Sequence, residues 1–134
     1  MKPTLLLALI FVLQFSAPLF AEDEEENKKL EPALYHELAP SIVINLNKGG
    51  NYIRCDIQLM TRDEASYEMI KLHSPALRHH LLLLLTEQDG KRLKSPKGKE
   101  SLRKKALITV NKALREIVKE TTIEALFFTS FFVQ

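Results

Sequence analysis

The residues most able to do chemistry are four histidines, one cysteine and a few carboxylates, and their spacing keeps most of them apart. His79 and His80 are adjacent, so on a helix their side chains point about 100° apart and cannot chelate one ion together. His36 and His73 stand alone, outside any Cys/His cluster of the kind that holds a metal. We therefore predict no metal site.

Catalytic patterns are equally scarce. Asp56 and Asp63 lie seven residues apart along a predicted strand and its exit, too far for two carboxylates that work on one bond. The sequence has no glycine-rich phosphate loop, no GxSxG and no HExxH motif. We predict a protein that is not an enzyme, with no catalytic residue, cofactor or small-molecule substrate. The alternative, a hydrolase, needs a cleft that holds a titratable group with a shifted pKa.

Basic residues cluster around the start of a predicted long helix. They are Lys91, Arg92, Lys94, Lys97, Lys99, Arg103, Lys104 and Lys105. Two interpretations stay open: attraction to anionic lipid headgroups or an acidic protein, and an ordinary solvated helix face. The formal net charge of the whole chain is only +2, and nucleic-acid affinity depends on many phosphate contacts, so no nucleic-acid partner is predicted.

The N-terminus predicts a membrane-directing segment followed by a linker. Residues 1–21 place Lys2 before an apolar run from Leu5 to Leu13 and end on Ala21, the order of a signal peptide or of a short membrane anchor. Residues 22–34 begin with five consecutive acidic side chains, which indicates a flexible acidic linker. The remaining residues, 35–134, suffice for one domain.

A β-hairpin opens that domain. Ile42, Ile44 and Leu46 share one face of a first strand, and residues 48–51 supply a glycine-containing turn. Tyr52 to Thr61 then alternates apolar and polar residues, which predicts one buried and one polar face. The alternation puts Cys55 on the apolar face, as a buried structural thiol; a lone cysteine cannot form an intramolecular disulfide.

Three helices and a last strand follow. Asp63, Ser74 with Pro75, and Ser95 with Pro96 are helix-start signals, and Gln88-Asp89-Gly90 is expected to end the second helix. Residues 123–134 are β-branched and aromatic, with phenylalanines on both strand faces. Such a strand is either central in the sheet and covered on both faces, or it presents one face to a partner. The second possibility makes Phe128 and Phe132 candidate interface residues. The fold class is α+β, a small antiparallel or mixed sheet of hairpin and C-terminal strand packed by three helices.

Three blocks of this sequence resemble the FliL family of flagellar basal-body-associated proteins. They are residues 35–46, with Pro40 and Val43-Ile44-Asn45-Leu46; residues 76–103, with Ser95-Pro96-Lys97-Gly98-Lys99 and Leu102-Arg103; and the ending Phe128-Thr129-Ser130-Phe131-Phe132-Val133-Gln134. The family-motif residues are Asn45, Leu46, Gly98, Leu102, Arg103, Phe128, Thr129, Phe131 and Gln134.

The resemblance implies a FliL-like periplasmic domain at residues 35–134, with a fold similar to the stomatin (SPFH) domain. It further implies a non-enzymatic accessory protein that supports motility, forms homo-oligomers and associates with stator proteins of the flagellar motor. The expected location is the periplasmic side of the inner membrane at the basal body; a cleaved leader would give a soluble periplasmic form. The alternative function is a general envelope scaffold without a flagellar role.

Overall fold

The computed structural model describes residues 30–134, in which three strands, four helices and a fourth strand follow one another. The strands are β1 (Leu34–Glu37), β2 (Ile42–Asn45), β3 (Tyr52–Thr61) and β4 (Ala125–Val133). The helices are α1 (Glu64–Leu72), α2 (Ser74–Thr86), α3 (Gly90–Leu93) and α4 (Pro96–Ile117). The predicted leader at residues 1–21, and the linker up to residue 29, lie outside the described residues.

β3 is the central strand of one antiparallel sheet. β1 and β2 lie end to end along one of its edges, and β4 lies along the other. Every second β3 side chain from Ile53 to Thr61 is buried, whereas Arg54 between them is exposed, as the alternation predicts for a strand covered on one face. The prediction of an α+β domain with a small antiparallel sheet is therefore confirmed.

The helices cover the buried face of the sheet. α2 contributes Leu77, Leu81 and Leu85 to the core, while Leu83 between them is exposed. α4 buries Leu102, Ala106, Val110, Ala113 and Leu114, which follow one another at helical spacing. Ile117, which the same amphipathic pattern predicts to be apolar and covered, is exposed at the last residue of the helix. Within residues 30–134, no helix combines the length and the apolar character needed to cross a membrane.

All three predicted helix starts are confirmed in position, and two of the three predicted caps are confirmed. The Asp63 carboxylate accepts a hydrogen bond from the Ser66 amide at 2.8 Å, and Ser95 Oγ accepts one from the Gly98 amide at 3.0 Å. Ser74, predicted to be a cap, is instead the first residue of α2, and its hydroxyl donates to the Ile70 carbonyl oxygen at 2.8 Å. The hydroxyl thus bonds to a backbone carbonyl four residues earlier, in α1, a hydrogen bond that serine side chains commonly form in helices.

Two short elements were not expected from the sequence. β1 pairs with the last four residues of β3, beginning at Leu34 opposite Thr61. Gly90, expected to end α2, instead opens α3, because the Asp89 side chain caps that helix by accepting from the Lys91 amide. Both elements have four residues, too few for hydrophobic periodicity to reveal them.

The β2–β3 turn and the start of α3 are joined. Gly49 has φ +75°, a conformation that glycine adopts without steric penalty. The Gly90 amide donates to the Lys48 carbonyl oxygen at 2.9 Å, and Lys48 and Asp89 form an isolated bridge. The hairpin turn predicted at residues 48–51 is therefore also the point at which the sheet meets the helices.

A β-bulge divides β4. Ile57 lies opposite Phe128, but the preceding residue Asp56 lies opposite Ser130, which leaves Thr129 as the extra residue. In a regular strand, residues three apart face opposite sides. The bulge instead puts Phe128 and Phe131 on the same, helix-covered side, where their ring centroids lie 4.9 Å apart.

The approach of α4 to α3 leaves no room for a side chain at Gly98. A Cβ atom built there would lie 1.8 Å from the Arg92 carbonyl oxygen, so the backbone would have to move. We expect Gly98→Ala to lower the free energy of unfolding by about 1–3 kcal/mol, measured by urea denaturation. The matched control is Ser101→Ala, an exposed position of the same helix; equal stability of the two variants would contradict this packing.

Candidate functional site

One histidine and one serine meet in the structure. His36 Nε2 lies 2.8 Å from Ser74 Oγ, and the same hydroxyl donates to the Ile70 carbonyl oxygen. Because a hydroxyl has one hydrogen, Nε2 of neutral His36 must be the donor in this pair. A general base would have to accept the serine proton, so this geometry is that of a structural contact and not of an activated nucleophile.

The surroundings of His36 lower its pKa. Burial disfavours the charged imidazolium, the nearby Lys71 ammonium adds to that effect, and Glu37 opposes it. Tyr67 packs edge-on against the ring, with centroids 6.3 Å apart. The ring is thus held between β1 and the helices as an uncharged packing element.

The other candidate groups lie apart from one another. Asp56 belongs to the outer face of β3, while Asp63 caps α1, where the hydrogen bonds from Ser66 lower its pKa. His79 and His80 are neighbours on α2 with ring centroids 5.8 Å apart. Within residues 30–134, no group of three or more His, Cys, Asp or Glu side chains is arranged to hold a metal ion.

Cys55 lies in the core, on the side that the strand pattern predicts. Its side chain is fully buried on β3, and burial raises the pKa of the thiol to about 12. The reactive species of cysteine is the thiolate. Cys55 is therefore an inert packing residue.

The outer face of the sheet, opposite the helices, carries a partly exposed set of apolar side chains. We call this the outer face; its exposed members are Tyr35, Val43, Phe127 and Phe132, the last with 51% of its surface exposed. Tyr35 contacts Phe127, and Tyr52 contacts Phe132, with ring centroids 6.4 and 6.0 Å apart. Exposed aromatic pairs of this kind are enriched in surfaces that bind another protein.

The two edges of the sheet are protected to different extents. On the β1–β2 edge, two four-residue strands are separated by Pro40, and Arg78 Nη1 donates to the carbonyl oxygens of Leu38 and Pro40. Short strands and proline are common ways to blunt an edge against pairing with another strand. Arg78 further occupies carbonyl groups that such a strand could use.

The β4 edge is protected over part of its length. Arg103 Nη1 donates to the Leu126 carbonyl oxygen at 3.4 Å. Farther along, Tyr52 and Gln134 exchange both backbone hydrogen bonds, so the alternation of an antiparallel ladder turns the amide groups of Phe131 and Val133 away from β3. All nine residues of β4 are uncharged, and none is proline. This half of the strand is thus available for pairing.

The family-motif residues have several structural roles. Leu102 is buried, Leu46 and Phe131 pack against the core, and Thr129 forms the bulge. Asn45 is exposed at the end of β2, opposite Tyr52. Arg103 forms an ion pair with Glu100 at 2.7 Å. Gln134 exchanges backbone hydrogen bonds with Tyr52 at the end of the pairing between β3 and β4. The structure places the two candidate interface residues on opposite faces of β4: Phe128 against the core and Phe132 on the outer face.

Sequence reasoning did not select Tyr35, Val43 and Phe127, although all three lie on the outer face. The cross-strand register brings Tyr35 beside Met60 and Phe127 beside Gln58 of β3. The only signal in the sequence for this surface is the presence of apolar residues at outward-facing strand positions. That signal identifies a shared surface only when the order and register of the strands are known.

The basic cluster surrounds an open groove of about 630 Å³ at the junction of α3 and α4. We call it the basic groove; its charged lining comprises Lys48, Arg92, Lys97, Lys105, Glu87 and Asp89. Arg103 and Lys99 belong to a different surface: Arg103 pairs with Glu100, and Lys99 Nζ lies 5.3 Å from the centroid of the Phe131 ring. Of the eight predicted basic residues, three therefore line the groove, namely Arg92, Lys97 and Lys105, and two, Lys99 and Arg103, lie on a different surface.

A family model for the flagellar basal body-associated protein FliL matches residues 35–134. The chain belongs to the FliL family. The sequence resemblance is thereby confirmed, over the range predicted for the domain. FliL is a flagellar accessory family and not a known enzyme family. No curated protein matches the chain.

The lowered pKa of His36 predicts a pH dependence of stability. The unfolded chain, with an ordinary histidine pKa of about 6.5, binds the proton more tightly than the folded chain. The free energy of unfolding should therefore decrease as pH falls below that value. Urea denaturation at several pH values should show a smaller decrease in the free energy of unfolding for His36→Gln than for wild type. The control is His79→Gln at an exposed position, which should follow the wild-type pH profile. Identical pH profiles for all three proteins would be inconsistent with this assignment.

Proposed function

We propose that this FliL-family chain is a non-enzymatic accessory protein of the flagellar motor that supports motility by self-association and by contact with the stator. The observation that carries the proposal is the family match over residues 35–134. The proposed location is the periplasmic side of the inner membrane, with the leader at residues 1–21 directing the chain there. The stator contact is what the family resemblance implies.

The surfaces of the sheet support the self-association part of the proposal. The outer face exposes aromatic side chains, and on the adjoining β4 edge the amide groups of Phe131 and Val133 face away from β3. A second chain could therefore bind through apolar contacts on the face and backbone hydrogen bonds at the edge. The β1–β2 edge is blunted by Pro40 and Arg78, which makes β4 the favoured edge.

The motility role can be tested in the source bacterium. We expect deletion of the gene to reduce swarming under high load, and a plasmid copy of wild-type protein to restore it. A copy carrying Phe132→Asp, produced at the same level, should restore it poorly because it disrupts self-association. Unchanged swimming and swarming in the deletion strain would contradict the flagellar role and favour a general envelope scaffold.

The two candidate interface residues should respond differently to a charge. Phe132→Asp puts a carboxylate on the exposed outer face, so we expect unchanged thermal stability and about thirtyfold weaker self-association, typical of the loss of an aromatic anchor. Phe128→Asp puts the charge against the core, so we expect it to lower the free energy of unfolding by about 3 kcal/mol or more.

Sedimentation of the full chain over a range of concentrations, together with thermal unfolding, distinguishes these outcomes. Ile108→Asp, which introduces the same charge at an exposed position of α4, is the matched control for net charge. Unfolding of the Phe132→Asp variant, or its self-association at wild-type strength, would contradict the assignment of the outer face as the interface.

A further inference from the structure

The basic groove brings cations from separate parts of the chain to one surface. Lys48 comes from the β2–β3 turn, Arg92 from α3, and Lys97 and Lys105 from α4. The groove has two carboxylates, of which Asp89 accepts a hydrogen bond from the Lys91 amide and lies 3.9 Å from Lys48 Nζ. Arg92, Lys97 and Lys105 thus leave an excess of positive charge.

Within residues 30–134, four cations form ion pairs, and of these only Lys48 lines the groove. Arg62, Lys71 and Arg103 each form an ion pair with a carboxylate, to Glu124, Glu68 and Glu100 respectively. In the part of the chain that the structure describes, no ion pair involves Arg92, Lys97, Lys105 or their exposed neighbours Lys91, Lys94 and Lys104. Among the described residues, this surface therefore carries an excess of accessible positive charge, which attracts anions.

An exposed apolar residue lies beside the cations. Ile108 follows Lys104 and Lys105 by four and three residues, so it occupies the same side of α4, and 68% of its surface is exposed. The opposite side of the helix, with Leu102, Ala106 and Val110, packs into the core. Cations around an apolar side chain are typical of helices that lie flat on a charged bilayer.

We infer that the basic groove and the adjoining exposed side of α4 bind the anionic headgroups of a phospholipid bilayer. The inference rests on the proposed function in one respect, namely that the chain works beside a membrane. Phosphodiester groups would neutralise Arg92, Lys97 and Lys105, and Ile108 would enter the headgroup layer. Because the helices cover the opposite side of the sheet, this orientation leaves the outer face free for another chain.

The expected effect of charge is large enough to measure. Each basic residue close to an anionic bilayer contributes about 1 kcal/mol, which corresponds to about fivefold in the partition coefficient. Removing two of them, as in Lys97→Gln with Lys105→Gln, should weaken docking about thirtyfold, and added salt should weaken it further. Arg54→Gln with Lys119→Gln removes the same charge from exposed positions outside the groove and should leave docking nearly unchanged.

The experiment uses the full chain with a fluorescent label at Ser101→Cys, which lines the groove, or at Ser130→Cys on β4. Cys55 remains unlabelled because it is buried with a raised thiol pKa. With vesicles of phosphatidylcholine and phosphatidylglycerol, we expect the dye at position 101, but not at position 130, to report an apolar environment. Vesicles of phosphatidylcholine alone report any effect of the leader by itself.

Several results would overturn the inference. They are an unresponsive dye at position 101 with phosphatidylglycerol vesicles, an equal response at both positions, and equal docking of the two double variants. Stronger binding to the soluble polyanion heparin, without a response to vesicles, would assign the groove to an acidic macromolecule instead. The readout is independent of motility, so a deletion strain that swims normally leaves the vesicle result unaffected.

Discussion

The burial of one face of β3 is the constraint on which the other elements depend. Ile53, Cys55, Ile57 and Leu59 are buried almost completely, and the strand that carries them pairs with neighbours on both edges. A strand in this position has all its backbone groups satisfied by the sheet, but its apolar side chains must be covered from one side. The helices supply that cover, and the remaining surfaces of the sheet are then available for partners.

The protein consequently has two surfaces with different chemistry. The outer face and the β4 edge offer aromatic rings and backbone amide groups that face away from β3, which suit association with protein. The basic groove, on the helical side, is lined by more cations than carboxylates. The proposed contacts with protein and with lipid would therefore use separate surfaces of one domain.

Arginines from the helices connect the core to those surfaces. Arg78 of α2 donates to carbonyl groups at the break between β1 and β2, while Arg103 of α4 donates to Leu126 on β4. Each side chain satisfies backbone acceptors that would otherwise be open to another strand. Arg103 is one of the family-motif residues. In this structure it donates a hydrogen bond to the sheet edge at Leu126 and forms an ion pair with Glu100.

Local signals in the sequence predicted the elements whose stability is mainly local. The Asp63 and Ser95 caps and the long helix α4 follow from side-chain hydrogen bonds and from a repeat that is visible over several turns. β1 and α3 could not be predicted in this way. Leu34–Glu37 forms a strand because β3 pairs with it, and Gly90–Leu93 forms a helix where Asp89 caps it and Lys48 accepts from Gly90.

The phenylalanines of β4 show which features local sequence specifies and which depend on pairing between distant strands. The order of predicted elements indicated an α+β domain with an apolar C-terminal strand, and three motif blocks indicated a family resemblance that the match over residues 35–134 confirms. An uninterrupted strand would put Phe128 and Phe132, four residues apart, on the same face. The bulge at Thr129 moves them to opposite faces, because the register with β3 changes between Asp56 and Ile57. Pairing between distant segments sets that register, so only the folded chain decides which rings fill the core and which lie on the outer face.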